Sequence, residues 1–188
     1  MAMEIERKFI VPLAAQHLFL NMKGGTRQVQ AYLSDDPART VRLRLVETSR
    51  GTTAKMTVKG RPRHGGVAKP EWEWDMPIDV VTDMIQELNP PYLDKVRHEV
   101  EYADVMWEVD VLKVKTVGPP STWRYLVTAE VEMPSIEAVR SVPIPPWVGA
   151  EVTGDKTYAM SMLTTETARQ KAWREAYKTG LSGFGGVS

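Results

Sequence analysis

The chain has 188 residues, and its 24 Lys and Arg balance its 24 Asp and Glu, so the formal net charge is zero. That balance argues against bulk electrostatic attraction to nucleic acid or to an anionic membrane, although it leaves room for a local basic site. The chain has no cysteine, which excludes disulfides, thiolate zinc sites and a catalytic thiol.

No membrane or secretion signal stands out along the chain. No apolar run approaches the roughly 20 residues of a membrane helix, and the first residues turn charged before any apolar stretch begins. We therefore expect a cytoplasmic protein with one domain over residues 1–180 and a flexible tail over residues 181–188.

Most of the chain alternates apolar and polar residues with a period of two, which is typical of a sheet with one apolar and one polar face. The alternation predicts strands near residues 3–11, 28–34, 40–47, 53–60, 69–77, 93–103, 105–113 and 125–133. Helices are predicted at residues 12–22, 78–88 and 157–178. Eight antiparallel strands in a domain of this length favour a closed barrel or a sandwich.

The polar face of these strands carries ionisable side chains, although charge is disfavoured in sheets. The same-sign pairs are Glu4 and Glu6, Glu71 and Glu73, and Glu130 and Glu132 among the acids, and Arg42 and Arg44, and Lys95 and Arg97 among the bases. Like charges roughly 7 Å apart on one strand repel each other more strongly when they are enclosed. A carboxylate cluster therefore needs raised pKa values or a hard cation, and a row of Arg and Lys needs a polyanion.

Two interpretations of this charged face stay open. The charges either form the solvated outside of an amphipathic sheet, or they line the inside of a barrel whose apolar side faces outward and is partly covered by the helices. In the second case, a phosphorylated ligand that carries a divalent metal meets both needs. Trp72, Trp74 and Trp107 alternate with the charges, so we expect them to pack on the outer face.

Glu4-Ile5-Glu6-Arg7-Lys8 is an ExExK element, and the chain here resembles the CYTH superfamily, the triphosphate tunnel metalloenzymes. The further motifs, in family order, are Val-Arg-Leu-Arg at 41–44, Thr-Val-Lys-Gly at 57–60, Glu-x-Glu at 71–73, Lys-x-Arg at 95–97, Glu-x-Asp at 108–110, Glu-x-Glu at 130–132 and Glu-Val-Thr-Gly-Asp-Lys-x-Tyr at 151–158. The resemblance covers about residues 2–163. It implies a mainly β fold with peripheral helices, in which eight antiparallel strands close into a barrel, or tunnel, with a charged interior.

The resemblance also implies roles for individual residues. The expected ligands of one or two Mg²⁺ or Mn²⁺ ions are Glu4, Glu6, Glu130 and Glu132, with Asp110 as a further contact. The side chains expected to hold phosphate oxygens are Lys8, Arg42, Arg44, Lys59, Lys95, Arg97 and Lys156, and the expected catalytic residues are Glu4, Glu6 and Lys8. The acids expected to line the tunnel are Glu71, Glu73 and Glu108, of which Glu71 and Glu73 would bind metal-associated water or orient the basic residues.

The resemblance implies an enzyme, and the residue chemistry agrees with it. Phosphoryl transfer asks a protein mainly for positioning and charge neutralisation, so no nucleophilic Ser, Cys or His constellation is needed. We expect a metal-dependent phosphoanhydride hydrolase that acts on inorganic triphosphate or a related small triphosphate. We expect no nucleic-acid or membrane partner, and a homodimer is compatible with the sequence.

Two other functions stay open at this stage. The first is a class IV adenylate cyclase, although such cyclases usually carry a His-Phe pair ahead of the ExExK element, where this sequence has Met1-Ala2-Met3. The second is a non-catalytic module that binds polyphosphate or nucleotides, which would be expected to lack some of the acidic metal ligands.

Overall fold

The computed structural model describes residues 2–34, 36, 39–115 and 122–181, so residues 182–188 of the expected tail lie outside the described residues. The strands are β1 (Ala2–Ile10), β2 (Thr26–Ser34), β3 (Thr40–Thr48), β4 (Gly51–Lys59), β5 (Ala68–Met76), β6 (Tyr92–Tyr102), β7 (Val105–Lys115) and β8 (Trp123–Glu132). All eight predicted strands are confirmed, and each end agrees within two residues.

These strands form a closed antiparallel barrel in the order β1-β5-β4-β3-β2-β6-β7-β8, with β8 pairing back to β1. In the ladder between β1 and β8, Glu6 lies opposite Glu132 and Lys8 lies opposite Glu130. Because side chains alternate between the two faces of a strand, these four charges share one face, and they line an internal cavity. The charged face is therefore the inside of the barrel, as the second interpretation of the sequence predicts.

The apolar outer face of β1, β7 and β8 is buried under the chain that follows β1 and β8. Trp107 is fully buried there, with its ring centroid 5.6 Å from that of Phe9 and 5.8 Å from that of Trp147. Phe19 packs edge-on against Trp147. Burying such large aromatic groups contributes several kcal/mol (roughly 1.5–3 for a side chain of this kind).

The outer face of β2, β3 and β4 packs against the helix α2 (Ile78–Leu88). Ala31, Leu43 and Ala54 are buried against Val81 of this helix. Trp72 and Trp74 of β5 also lie on an outer face, as expected, but they remain 41% and 48% exposed. Trp107 and these two tryptophans therefore share a sequence pattern but differ in what covers them.

One end of the barrel interior is apolar. Leu112 of β7 lies opposite Leu126 of β8. Both leucines point inward, as do Glu108 earlier in β7 and Glu130 later in β8. Tyr158 and Leu163 pack into this end, together with residues of the last helix. The interior is thus charged along part of its length and filled with hydrophobic side chains at this end.

The predicted helix at residues 78–88 is confirmed by α2, whereas the other two helix predictions are only partly correct. The helices are α1 (His17–Leu20), α2 (Ile78–Leu88), α3 (Ile136–Arg140) and α4 (Glu166–Leu181). Residues 12–22 form a 3₁₀ turn at Leu13–Ala15 and the short α1 in place of one helix. The break falls at Gln16, whose side-chain amide donates to the carbonyl of Tyr125 and to the hydroxyl of Tyr177.

The C-terminal helix begins at Glu166, so its predicted start near residue 157 is wrong. Residues 156–164 instead form two 3₁₀ turns that place Tyr158 and Leu163 in the apolar end of the barrel. The hydroxyl of Thr165 accepts a hydrogen bond from the backbone amide of Ala168, so Thr165 is the N-cap of α4. None of the helices among the described residues combines the length and the apolar character that a membrane span requires.

Candidate active site in the barrel interior

A cavity of about 840 Å³ occupies the charged part of the barrel. It brings together nearly all of the residues that the sequence analysis selects. Those that line it are Glu4, Glu6, Lys8, Arg42, Arg44, Lys59, Glu71, Glu73, Lys95, Arg97, Glu108, Glu130, Glu132 and Lys156. Asp110 is the selected residue that the cavity lining does not include.

Asp110 lies behind two of the cations that line the cavity. It is fully buried, and its carboxylate accepts hydrogen bonds from Arg97 at 2.7 and 2.8 Å and from Lys95 at 2.6 Å. Burial alone would raise the pKa of Asp110, but the charges of Arg97 and Lys95 lower it. Both of its oxygens are therefore engaged, and its role as a metal contact stays a prediction.

Glu130 of β8 joins cations of two other strands, β1 and β6. Its carboxylate lies 3.0 Å from the ammonium of Lys8 and 3.0 Å from the guanidinium of Arg97. Burial opposes the charged form of Glu130, but Lys8, Arg97 and Lys95 hold its pKa well below the usual value. This carboxylate stays ionised and keeps Lys8 and Arg97 oriented beside the cavity.

Arg42 and Arg44 line the cavity from β3. The guanidinium of Arg44 donates to Glu73 at 2.6 Å, and that of Arg42 donates to the hydroxyl of Thr57 at 3.2 Å. In each arginine the Nε atom is buried and has no hydrogen-bond partner among the described residues. The pKa of Arg44 is lowered by burial and by the neighbouring charge of Arg42. Buried, unsatisfied donors on two adjacent cations indicate a site for an anion.

The acidic side of the cavity contains Glu4 and Glu6, the two carboxylates of the ExExK element. Glu4 forms an ion pair with Lys59, and Glu6 accepts from Lys69 at 3.0 Å. The second oxygen of Glu4 is buried and has no partner in the described part of the chain. An unsatisfied buried carboxylate oxygen is costly, so a further cation would be favourable here.

Glu132 is the carboxylate whose ionised form is most clearly disfavoured by its surroundings. Its pKa is raised to about 7, first by burial and then by the negative charges of Glu4, Glu71, Glu108 and Glu6. This repulsion is the one that the sequence analysis anticipates for enclosed like charges. The excess negative charge on this side of the cavity is what a hard cation would neutralise.

The donor chemistry fits a hard divalent cation, because the available ligands are carboxylate oxygens. Within residues 2–34, 36, 39–115 and 122–181, no three His, Asp or Glu side chains already stand together as a metal-binding group. The carboxylates share one cavity and repel one another there. Binding an ion would therefore require small movements of the side chains of Glu4, Glu6 and Glu132 toward a common point.

Lys69 and Thr57 are among the charged or polar groups of the site to which the sequence analysis gave no role. Lys69 lines the cavity and pairs with Glu6, and its ammonium pKa is raised because Glu6 and Glu4 outweigh the effect of burial. Its position, two residues before Glu71, gives it the same inward direction, so the alternation could have identified it. Thr57, fully buried between Arg42 and Glu73, is the second such group.

Two glycines close the cavity beside the C-terminal segment. Gly154, at φ +75°, is packed so tightly that an added Cβ would lie 2.2 Å from the carbonyl oxygen of Gly65. Gly66, at φ +99°, would bring a Cβ to 2.5 Å from the Cα of Gly154. The loop after β4 and the segment around Lys156 therefore touch through backbone atoms, and both line the cavity.

Comparison with known proteins agrees with this geometry. The CYTH domain family model matches residues 2–142. The chain is 32% identical over 164 residues to an inorganic triphosphatase from Acetivibrio thermocellus, covering 87% of this chain and 94% of the relative. It is 31% identical to an inorganic triphosphatase from Nitrosomonas europaea, covering 85% and 95%. The solved structure of the inorganic triphosphatase NE1496 is similar with a TM-score of 0.53 and 27% identity, covering 88% of this chain and 97% of that one.

Proposed function

Because the chain belongs to the CYTH domain family, we propose that it is a metal-dependent phosphohydrolase that removes the terminal phosphate of inorganic triphosphate or of a related small triphosphate. The names of the two bacterial relatives support this substrate class. The observation that carries the proposal is the cavity itself, which is lined both by arginines whose buried Nε donors lack a partner among the described residues and by mutually repelling carboxylates.

The carboxylates Glu4, Glu6, Glu130 and Glu132 would hold Mg²⁺ or Mn²⁺, with Asp110 as a further contact. Their oxygen donors suit either ion. Such an ion would neutralise the negative charges that raise the pKa of Glu132. When bound, the ion supplies Lewis-acid stabilisation of the phosphate oxygens.

The basic residues would bind and orient the triphosphate. Arg42 and Arg44 come from one strand and present adjacent guanidinium groups, while Glu130 holds Lys8 and Arg97. Arginine favours this role because its planar fork matches two phosphate oxygens. Lys59, Lys95 and Lys156 would add further positive charge.

The reaction needs a water molecule to attack the terminal phosphorus as the bridging P–O bond breaks, giving orthophosphate and pyrophosphate. Charge builds up on the leaving oxygen during this step, and fixed cations that face it lower the barrier without reorganisation. Lys8 would serve here, because its ammonium is buried and oriented by Glu130. The barrel interior would strengthen these interactions, because charges interact more strongly where protein replaces bulk water.

A phosphate-release panel tests the proposal. The wild-type protein would be incubated with triphosphate, thiamine triphosphate and ATP in Mg²⁺, in Mn²⁺ and in EDTA. We expect orthophosphate release from at least one substrate with a metal and none in EDTA. Cyclic AMP and pyrophosphate from ATP would instead indicate a cyclase, and tight triphosphate binding without hydrolysis under every condition would indicate a binding module.

A double variant tests the assignment of the metal ligands. Replacing Glu130 and Glu132 with Gln should abolish phosphate release while the circular dichroism spectrum of the barrel is retained. The matched control is Glu47→Gln, an exposed carboxylate of β3 that pairs with Arg27 outside the cavity. Unchanged turnover in the double variant would contradict the ligand assignment.

A further inference from the structure

The arginines of β3 are held in place by residues of the next two strands. The strand register places Arg42 opposite Thr57 and Arg44 opposite Lys55, and it places Thr57 opposite Glu73 of β5. Directly opposite residues in an antiparallel ladder have Cβ atoms about 5 Å apart. The backbone therefore brings this group together before any side chain is considered.

Glu73 is the charged centre of this group. Its carboxylate accepts hydrogen bonds from Arg44 at 2.6 Å, from Lys55 at 2.7 Å and from the hydroxyl of Thr57 at 2.9 Å. Burial raises the pKa of Glu73, but these donors and charges outweigh it and lower the pKa to about 2. The carboxylate is therefore ionised at neutral pH and accepts hydrogen bonds only.

Arg42 reaches Glu73 only through Thr57. Among the described residues, Arg42 forms no ion pair with a carboxylate, and its Nη2 atom donates to the hydroxyl of Thr57 at 3.2 Å. A threonine hydroxyl has one donor and two acceptor positions. Because Glu73 can only accept and Arg42 can only donate, the hydroxyl proton must point to Glu73 and a lone pair to Arg42.

We propose that Thr57 is a positioning residue. Its buried hydroxyl links Arg42 to Glu73 through two hydrogen bonds and thereby fixes the direction in which Arg42 faces the cavity. The side chain of Thr57 is fully buried, and its branched Cβ limits rotation about χ1. Arg44 needs no such link, because it contacts Glu73 directly. This inference rests on the proposed function, in which Arg42 binds phosphate.

Thr57→Val is a suitable perturbation because it removes the hydroxyl but changes neither the net charge nor, to a first approximation, the shape. We expect kcat/KM for triphosphate to fall about tenfold, the order expected for one hydrogen bond to a charged group. Thr57→Ser keeps the hydroxyl and should stay within about threefold of the wild type on the same scale. The matched control is Thr53→Val, an exposed threonine of the same strand, which should leave kcat/KM unchanged.

A double-mutant cycle separates positioning from a merely structural role. If Thr57 acts through Arg42, then adding Thr57→Val to Arg42→Gln should cost no further activity. Additive losses would overturn the proposal, as would Thr57→Val with unchanged kcat/KM or Thr57→Ser as impaired as Thr57→Val. Should Thr57→Val fail to fold, Thr57→Ala takes its place in the cycle.

A binding measurement keeps this inference distinct from the proposed function. Tripolyphosphate binding would be measured calorimetrically in EDTA for the wild type and for the Val and Ser variants of Thr57. We expect the Val variant to bind about tenfold more weakly and the Ser variant to bind nearly as the wild type does. If the wild type hydrolyses no triphosphate, the proposed function fails, while this binding series still decides the role of Thr57. Equal affinity in all three proteins would overturn that role.

Discussion

Replacing Asp110 with Asn tests whether this carboxylate is the fixed counterion of two buried cations. The substitution preserves shape but removes the charge that Arg97 contacts with two hydrogen bonds and that Lys95 contacts with one. Both Asp110 and Lys95 are almost fully buried, with side-chain exposures of 0% and 1%. Leaving a buried cation without its partner costs about 3–5 kcal/mol.

The loss should lie near the lower end of that range. Burial lowers the pKa of Lys95 to about 7 even with Asp110 present, so in the variant Lys95 can lose its proton and avoid part of the penalty. We therefore expect a destabilisation of about 3 kcal/mol. For a chain of this size each kcal/mol corresponds to about 2–4 °C, so the melting temperature should fall by about 6–12 °C.

The assay is thermal unfolding at pH 7 in EDTA, followed by circular dichroism. The matched control is Glu47→Gln, which breaks an ion pair of similar length, 2.9 Å to Arg27, where both side chains are nearly half exposed. An exposed pair contributes about 0–1 kcal/mol, so the control should shift by no more than a few degrees. If Asp110 instead belonged to the repelling carboxylates of a metal site, its neutralisation would leave the metal-free protein as stable or more stable. That result would refute the assignment of Asp110 as a counterion.

Three further changes have expected outcomes. The pKa of Glu132 is raised to about 7 in the folded protein, so its contribution to stability is present below about pH 4.5 and is lost as the pH rises through about 7. Because the side chain of Glu132 is exposed, solvent screening limits this loss to about 1 kcal/mol. The melting temperature in EDTA should therefore differ less between pH 5 and pH 8 for Glu132→Gln than for the wild type, and equal differences would contradict the repulsion. Tyr177→Phe removes a buried hydroxyl that bonds Gln16, the Val127 amide and the Val11 carbonyl, so urea unfolding should show a loss of about 1–3 kcal/mol, and an unchanged midpoint would contradict it. Gly154→Ala should lower the melting temperature more than Gly24→Ala, because both have positive φ but only Gly154 meets another loop; equal shifts would count against the loop contact.

The alternation of the sequence was sufficient to predict the strands and which of their faces is charged. Glu71, Glu73 and their strand neighbours follow a strict period of two, and a sheet imposes that same period on side-chain direction. The sequence could not by itself choose between an inward and an outward charged face, because that choice depends on barrel closure. Closure is a property of the pairing between β1 and β8, which are far apart in the chain.

The helical segments were harder to predict because tertiary contacts decide them. Residues 156–164 contain helix-forming residues, yet burying Tyr158 and Leu163 in the end of the barrel bends this segment into 3₁₀ turns. Here burial in the core outweighs local propensity, which differs by less than about 1 kcal/mol per residue for these types. The true start of α4 did carry a local signal, the N-cap at Thr165.

The strand pattern could not reveal that the carboxylates of one strand have different neighbours and different pKa values. The Glu-x-Glu pair of β8 looks uniform in sequence, but the structure separates its members: cations lower the pKa of Glu130, whereas carboxylates raise that of Glu132. The pair on β5 is divided in a similar way, since Glu73 is held by three donors while Glu71 has Lys59 at 3.9 Å.

This division follows from the order of strands around the barrel. Lys8 lies opposite Glu130, while Glu6 lies opposite Glu132, so moving two residues along β8 exchanges a basic neighbour for an acidic one. Glu130, which faces cations, is suited to orienting the phosphate-binding groups in addition to its proposed part in metal binding, and Glu132, which faces other carboxylates, is suited to binding a divalent ion. A single charged cavity can in this way keep an anion site and a cation site side by side, because barrel closure gives each carboxylate its own set of cross-strand neighbours.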